Sequence, residues 1–341
     1  MEGLKISYIV PVYNAAKFLP LCIDSIERQG IGSDKFEVIV INDGSTDNSL
    51  VVAQRLSHRY KNINVISVTN RGVGAARNKG ISVARGKYIV FIDSDDCLED
   101  DSILHVVNIA EKYGSEITLY KTMRHREDGI KVVWTPFLKS NEVVSGKNAI
   151  VKGLRISVIW NALYLRTFLI NSKIRFIEGL TSGEDVDFGM RLYPKAKKII
   201  QSDILVYHYF SREGSLMNSH GSENTKKKIK SNLRVACSLI NYTTDECQDP
   251  SICNIYRKIA NSLLVSILLD LFCSRNSYGK AFMKEIISYA IKHNVLPIVG
   301  RTESWRSNIA KMIINAFVAL GKKFRFIKLL FFRKGAEDAM E

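Results

Sequence analysis

Several features that mark other protein classes are missing from this sequence of 341 residues. Its six cysteines have no metal-binding spacing, and no helix-turn-helix, zinc-finger or base-stacking motif accompanies its basic charge, so nucleic acid is a poor choice of partner. No apolar run is long and unbroken enough to predict a membrane span. The N-terminus shows no signal peptide, and we therefore expect a cytoplasmic protein with reduced thiols.

Acidic residues are also in deficit, with 34 Asp and Glu against 49 Lys and Arg and a net charge of +15. A charge of this sign favours anionic substrates or an anionic membrane surface. The length is sufficient for one large domain with an appendage. We expect a catalytic domain over residues 1–222 and a helical C-terminal region over residues 223–341.

Short β-branched segments recur in the first hundred residues, and each gap between them is long enough for a helix. The segments are 5–12, 36–41, 63–68 and 87–92. This alternation predicts a parallel, doubly wound α/β sheet. Ligands of such sheets bind at the carboxyl ends of the strands, where polar residues follow all four segments here. We therefore expect these polar side chains to line one crevice.

An acidic cluster, Asp93, Asp95 and Asp96, follows the fourth segment directly. Carboxylates this close repel one another, and a hard divalent cation that also binds substrate phosphates would relieve the repulsion. The cluster therefore predicts Mg²⁺ or Mn²⁺ holding a phosphorylated ligand. A solvated turn with helix-capping aspartates is the alternative.

Two further strand ends carry candidate ligand-binding residues. Asp43 ends the second segment two residues before Ser45, a better helix cap, so we expect its carboxylate to be free for a ligand, although Asp43 could itself be a cap. After the third segment, Gly72 and Gly74 resemble a dinucleotide loop. Arg77 occupies the position of the third glycine, however, and the loop follows the wrong strand, which disfavours a nicotinamide-binding enzyme. Arg77 near the start of a helix suits a diphosphate instead.

Seven motifs, taken together and in order, resemble those of a known protein family. In order they are IVPVYN (9–14), VINDGSTD (40–47), GAARNKG (74–80), FIDSDD (91–96), VIWNALY (158–164), FIEG (176–179) and SGEDVDF (182–188). Together, residues 4 to about 215 resemble glycosyltransferase family 2 of the bacterial surface-polysaccharide type. The resemblance implies an inverting enzyme of the GT-A fold, with a Rossmann-like, doubly wound mixed sheet and a C-terminal helical appendage.

The resemblance also implies roles in binding a nucleotide-sugar donor, most simply a UDP-sugar. Pro11 and Tyr13 would border the base, Asp43 would accept a hydrogen bond from the uracil imide, and Asp93 would hold the ribose hydroxyls. Asp95 would ligate Mn²⁺ or Mg²⁺, which neutralises charge on the leaving diphosphate.

A further strand, predicted over residues 199–207, is followed by His208 and a basic loop. The resemblance implies that His208 completes the metal site and that Arg212 and Ser215 reach the diphosphate from a lid. We find no second histidine nearby to support a cage made of protein ligands alone. The metal is therefore expected to bind well only when nucleotide is present.

Glu184 and Asp185 resemble the acidic pair of the family and precede a helical pattern. An inverting transfer is a single displacement, so the acceptor hydroxyl must lose its proton as it attacks. We predict Asp185 as the general base and Glu184 as the residue that orients the acceptor. The alternative is that both carboxylates only stabilise the helix dipole.

The C-terminal region is predicted to contain helices over 225–241 and 256–273, joined by a linker over 242–253, and a last basic amphipathic helix. Residues 306–334 have the pattern of an in-plane anchor for anionic bilayers. The alternative is a helix that packs on the catalytic domain or on a second subunit of a homo-oligomer.

These observations predict an inverting, metal-dependent transferase that moves a sugar from a UDP-sugar to a hydroxyl of a lipid-linked glycan. We expect the protein to be cytoplasmic and to lie peripherally on the inner face of the cell membrane. One alternative is transfer to a polyprenyl phosphate, which needs no base. The other is a catalytically inactive protein that binds nucleotide sugars.

Overall fold

The structure is a computed structural model that describes residues 4–135, 138–211, 222–273 and 278–323, the last seven of these by their backbone alone. The chain divides into two compact units, Met1–Ser219 and His220–Glu341. The first unit is built on a single mixed sheet, and the second consists of helices.

Nine strands form the sheet of the first unit in the order β3-β2-β1-β4-β8-β6-β9-β5, with β7 paired to β6. Strands β3, β2, β1 and β4 run parallel to one another, as predicted, whereas β8 is antiparallel to both β4 and β6. The strands are β1 (Ile6–Val12), β2 (Phe36–Asp43), β3 (Ile63–Val68), β4 (Tyr88–Phe91), β5 (Cys97–Leu98), β6 (Ile117–His125), β7 (Lys131–Trp134), β8 (Ala162–Leu165) and β9 (Ile199–Phe210).

Helices connect these strands. They are α1 (Leu19–Glu27), α2 (Ser49–Arg59), α3 (Val73–Val83), α4 (Ile103–Tyr113), α5 (Gly146–Val151), α6 (Arg166–Ser172) and α7 (Glu184–Leu192), followed by a 3₁₀ turn (Tyr193–Lys195). Of these, α1, α2, α3 and α7 lie in the intervals where the sequence predicts helices.

Both faces of the central strands are buried, because β1 and β2 have no exposed residue along their length. Tyr8 and Val10 belong to one core cluster together with apolar residues of α1 and α4. Ile9 points the other way, toward α3, where a Cβ added at Gly80 would lie 2.4 Å from its Cγ2 atom. Helices therefore cover both faces, which is the doubly wound arrangement of a GT-A fold.

The residue types after the first two strands predict Asn14 as the cap of α1 and Ser45 or Asp47 as the cap of α2, and the first of these predictions is wrong. Asn14 does not begin α1; it has a φ of +51°, and its side-chain oxygen accepts hydrogen bonds from the backbone N–H groups of Thr46 and Asp47. It therefore joins the loop after β1 to the loop after β2. Asp47, one of the two predicted caps of α2, does accept from the N–H of Ser49 at 2.9 Å.

The second unit contains α8 (Ser222–Asn241), a π-helical turn (Tyr242–Glu246), α9 (Pro250–Cys273), α10 (Lys280–Lys292) and α11 (Trp305–Lys323). The predicted linker over 242–253 is therefore mostly helical. In the described residues, α9 is the one helix whose length and composition would allow it to cross a membrane. Leu264, Leu268 and Leu271 of α9 lie in the buried core of this unit.

Candidate active site

Asp43 ends β2 and is 3% exposed. Its two carboxylate oxygens accept hydrogen bonds from the backbone N–H groups of Arg71 and Gly72, each at 2.9 Å. The expectation of a free carboxylate is thus wrong, because Asp43 holds the loop that precedes α3. Gly44 allows this close approach: its φ is +65°, and a Cβ there would lie 2.8 Å from the backbone nitrogen of Asn70. A carboxylate has further lone pairs, so a donor from a base could still share one of the oxygens.

The two residues predicted to border the base differ in exposure. Pro11 lies within β1, buried and paired with Ile41 of β2. Tyr13 follows the strand and is 51% exposed. Only the Tyr13 ring is therefore open to a ligand over much of its surface, and Pro11 can contribute no more than the shape of the strand end.

Arg77, in α3, is the centre of the site. Its side chain is 2% exposed and forms ion pairs with three carboxylates. Nη2 lies 2.8 Å from Asp93 Oδ1, and Nη1 lies 2.6 Å from Asp185 Oδ1 and 3.3 Å from Glu184 Oε1. A residue predicted to bind nucleotide and the two residues predicted to act on the acceptor are thereby joined through one guanidinium.

This geometry gives Arg77 a role that the sequence did not predict. Burial lowers the pKa of its guanidinium, but the charges of Asp185, Asp93 and Glu184 outweigh burial and raise it. Both terminal nitrogens of the guanidinium are engaged by carboxylates, and the buried Nε has no hydrogen-bond partner among the described residues. Arg77 therefore positions the acidic side chains around it, and its contact with a diphosphate stays a prediction.

Asp185 lies in the first turn of α7, two residues after Gly183, which caps the helix with a φ of +78°. Burial raises the pKa of Asp185 to about 7, with Arg77 opposing this shift and Glu184 and Asp93 adding to it. A carboxyl group with a pKa near neutrality can take up a proton during a reaction and release it afterwards. These properties are compatible with a general base, the role that stays a prediction for Asp185.

Asp96 is buried and joins the acidic cluster to β9. Its carboxylate accepts hydrogen bonds from the Tyr207 hydroxyl at 2.8 Å and from the Phe210 N–H at 3.0 Å. The Tyr207 hydroxyl also accepts from the N–H of Asp93 at 3.1 Å, and the Tyr207 ring stacks on Trp160 at 4.4 Å. Burial and the charges of Asp93 and Asp95 raise the pKa of Asp96. Asp96 is therefore a structural member of the cluster.

His208 lies near the end of β9, opposite Cys97 of β5. Its Nδ1 atom is 2.8 Å from Nε2 of His125, and its Nε2 atom is 2.5 Å from Oε2 of Glu99. The expectation that no second histidine lies nearby is therefore wrong. Burial, helped by the charges of His208 and Lys131, lowers the pKa of His125, which keeps its ring neutral and able to accept a hydrogen bond. The tautomer in which His208 Nδ1 donates to His125 leaves the Nε2 lone pair for a metal or for a proton shared with Glu99.

Sequence reasoning missed four of these residues: Glu99, His125, Trp160 and Tyr207 act on site residues from outside the predicted set. Of these, only His125 has a position that a local pattern could have indicated, since it is the last residue of β6. Its contact with His208 depends on the pairing of β6 with β9, a long-range feature that no local pattern encodes. Arg212 and Ser215, the predicted lid residues, lie outside the described residues.

A divalent metal such as Mn²⁺ or Mg²⁺ needs several oxygen or nitrogen ligands. Within the described ranges, no group of three or more His, Cys, Asp or Glu side chains could hold a metal ion by itself. Asp95 is partly exposed, and His208 is 18% exposed with one ring nitrogen directed away from His125. One carboxylate, one imidazole and the oxygens of a diphosphate form an acceptable set for Mn²⁺ or Mg²⁺. The residues therefore fit a metal that binds together with nucleotide.

A mixed sheet with helices on both faces and polar residues at its strand ends defines the fold class of the first unit. It is the GT-A fold. Residues 7–171, slightly less than half of the chain, match the model of Glycosyl transferase family 2.

Individual relatives agree with this assignment. The poly(ribitol-phosphate) beta-glucosyltransferase of Bacillus spizizenii is 32% identical over 219 residues, which are 63% of this chain and 34% of that protein. EpsJ of Bacillus subtilis, an uncharacterized glycosyltransferase, is 28% identical over 307 residues, 84% of this chain and 86% of EpsJ. The chain thus spans about a third of the first relative and most of the second.

A solved structure shows the same fold. The crystal structure of residues 1–349 of Staphylococcus aureus TarS in complex with UDP-GlcNAc matches with a TM-score of 0.61 and 25% identity, covering 79% of this chain and 73% of that one. The predicted GT-A architecture is therefore confirmed.

Proposed function

We propose that this protein is an inverting glycosyltransferase that moves a sugar from a UDP-sugar to a hydroxyl group of a glycan. The observation that carries the proposal is the ion-pair cluster of Arg77, because it sets Asp93, at the nucleotide side, and Asp185, at the acceptor side, within one guanidinium of each other. A reacting sugar must lie between its nucleotide and its base, and the cluster supports this by keeping the two predicted sides of the site close together.

In the proposed reaction the acceptor oxygen bonds to C1 of the sugar while the bond from C1 to the diphosphate oxygen breaks. The bonding electrons leave with the nucleoside diphosphate, and the acceptor proton passes to Asp185. Attack from the face opposite the diphosphate inverts the configuration at C1, so an α-linked donor yields a β-linked product. The names of the Bacillus spizizenii relative and of TarS include beta linkages, which is consistent with inversion.

Asp185 suits this step because it is ionised in part near neutral pH and lies in a buried setting. Glu184, 15% exposed, would orient the acceptor hydroxyl. Arg77 lies between Asp93 and the pair Glu184 and Asp185, and its positive charge would reduce the repulsion among these three carboxylates. When the proton arrives on Asp185, Arg77 keeps its pairs with Glu184 and Asp93. The cluster can therefore change its protonation without losing its structure.

Asp95 and His208 would hold Mn²⁺ or Mg²⁺, which supplies charge neutralisation for the leaving diphosphate. Tyr13 would contact the base, and Asp43 would share a lone pair with it. The similarity to TarS, a structure that contains UDP-GlcNAc, supports uridine as the base.

For the acceptor we propose a lipid-linked saccharide, reached by a cytoplasmic protein that lies on the inner face of the membrane. The support is the basic C-terminal sequence, which favours an anionic surface. Transfer to a polyprenyl phosphate is the weaker proposal, because a phosphate oxygen needs no base and Asp185 would then have no function.

Thermal unfolding in the presence of nucleotide sugars tests the donor and the metal together. A ligand that binds only the folded protein raises the melting temperature by mass action. We expect UDP-sugars with Mn²⁺ to raise it in the wild-type protein and Asp95→Asn to abolish the Mn²⁺-dependent part. Asp100→Asn is the matched control, since Asp100 is an exposed aspartate nearby that pairs only with Arg28 at the surface. Equal Mn²⁺-dependent shifts in both variants would refute the metal assignment.

A further inference from the structure

Helix α11 has an exposed apolar face. Trp305 and Met312 are each 69% exposed, Ile309 is 50% exposed and Ile313 is 53% exposed. At 100° per residue these four side chains fall within an arc of about 100° on one side of the helix. Ile314, on the opposite side, is 2% exposed and belongs to the core of the second unit. The helix is therefore apolar on two sides, and its own unit buries only one of them.

This pattern is not that of an ordinary surface helix, whose outward face is polar. Single exposed apolar residues need no explanation, but four that are adjacent on one face indicate a binding surface. Trp305 adds to this indication: the Arg306 guanidinium lies 5.5 Å from its ring centre, so the most exposed aromatic residue of the face carries a cation beside it. Tryptophan is enriched at the boundary between lipid and water because its indole ring is apolar whereas its N–H group is a hydrogen-bond donor.

The sequence that contains α11 is strongly basic, and this charge bears on the choice of partner. Between Lys292 and Lys334 the sequence contains ten Lys or Arg residues and a single acidic residue, Glu303. A second copy of the chain would bring the same positive charge against this face, which is unfavourable. Nucleic acid would satisfy the charge but not four exposed apolar side chains. An anionic bilayer satisfies both, since it offers a negative surface above an apolar interior.

We propose that the face formed by Trp305, Ile309, Met312 and Ile313 binds the surface of a bilayer that contains anionic lipids, with α11 in the plane of the membrane. The basic residues draw the protein to the surface, and the apolar side chains enter it. This inference rests on the membrane location proposed above and assigns it to named residues. It does not depend on the transferase assignment, because no residue of the candidate active site takes part.

Flotation of the full-length protein with vesicles tests the proposal. One set of vesicles contains phosphatidylcholine alone, and the other contains phosphatidylcholine with about a third phosphatidylglycerol. We expect the protein to float only with the anionic vesicles and to be released at high salt. The double variant Ile309→Gln, Met312→Gln should lower the partition coefficient at least about tenfold, since two apolar side chains no longer enter the lipid.

The matched control is Ile291→Gln, because Ile291 is also an exposed apolar residue of the second unit, 41% exposed, but lies on α10. We expect it to bind as the wild type does. Circular dichroism and the melting temperature should be unchanged in both variants, since the substituted side chains are exposed. Quenching of tryptophan fluorescence by brominated lipids should be lost in Trp305→Phe alone among variants of the three tryptophans.

Several results would overturn the proposal. Equal binding by the double variant and the wild type would place the contact elsewhere, and equal binding to both kinds of vesicle would remove the charge argument. No binding to either vesicle, together with a dimer in light scattering that the double variant converts to a monomer, would assign the face to a second copy of the chain.

Discussion

The two sides of the candidate site are built differently. On one side, Arg77 is 2% exposed and bonds three carboxylates, so this cluster is dry and held in place. On the other side, His208 pairs with Glu99, whose side chain is 47% exposed. Charges removed from water interact strongly and lose much when a partner is removed, whereas exposed pairs exchange partners at little cost. The dry side therefore suits a permanent function, and the wet side suits a ligand that arrives and leaves.

The largest effect on turnover is expected on the dry side, from Asp185→Asn. Transfer should fall by a factor of about 10² to 10⁴, the usual contribution of a positioned base, while UDP-sugar binding is retained. Steady-state transfer assays and nucleotide titrations measure the two quantities separately. An Asp185→Asn enzyme that remains fully active would move the role of base to Glu184 or favour a phosphate acceptor.

Arg77→Met should cause the largest loss of stability. Three carboxylates would then face one another without a cation, at a cost of about 3–5 kcal/mol in the free energy of unfolding. Urea unfolding measures the loss, with Arg28→Met as the control, since the exposed pair of Arg28 with Asp100 is worth about 1 kcal/mol or less. The difference between Arg77→Met and the wild type should shrink at acidic pH as the carboxylates become protonated. A constant difference between pH 5 and pH 8 would contradict the electrostatic account.

The pH dependence of the reaction tests the same cluster without a mutation. Since burial raises the pKa of Asp185 to about 7, the ionised base is lost below that pH. We expect kcat/KM to fall about tenfold per pH unit on the acidic side of neutrality, with an apparent pKa near 7. The same raised pKa means that Asp185 contributes to folding at pH values below about 4, and that this contribution is lost as the pH rises through 7. A rate profile that is flat from pH 5 to pH 8 would exclude Asp185 as the base.

A smaller effect is expected from Asp43→Ala, which leaves the N–H groups of Arg71 and Gly72 without their acceptor. The free energy of unfolding should fall by about 1–3 kcal/mol, and UDP should bind more weakly because the loop before α3 is released. Asp43→Asn keeps one acceptor oxygen, so its stability and its UDP affinity should lie between those of Asp43→Ala and those of the wild type. Lower stability with unchanged uridine affinity would show that Asp43 serves the loop alone.

The smallest effect is expected on the wet side, from Glu99→Gln. Stability should change by about 1 kcal/mol or less, and Mn²⁺ affinity in the presence of UDP should rise about two- to fivefold, because Nε2 of His208 no longer holds a charged partner. Isothermal titration measures the affinity. Glu111→Gln, which breaks an exposed pair with Lys87, is the control and should leave it unchanged. A lower metal affinity in Glu99→Gln would make Glu99 a ligand and not a competitor.

Much of the architecture was accessible from local patterns. The four parallel strands, the crossover helices and the strand-end position of Asp93 and Asp95 follow from hydrophobic runs and turn residues, which act over a few neighbours in the chain. The pattern of β9 predicted a strand there, though one that ends at Tyr207 and not at Phe210. Where local signals were weak, as in the π-helical turn Tyr242–Glu246, the prediction of a linker was wrong.

The sequence by itself determined which chemical groups this protein has and at which strand and helix ends they occur, because those depend on local periodicity. Only the tertiary structure decided their partners. Arg77 and Asp185 are 108 positions apart, and His125 and His208 are 83 apart, yet each pair is joined by a hydrogen bond. Pairings over such separations depend on the order and register of the strands, which no local pattern encodes. The structure therefore placed a predicted diphosphate ligand at the centre of an ion-pair cluster, and turned a supposedly free Asp43 into the anchor of a loop.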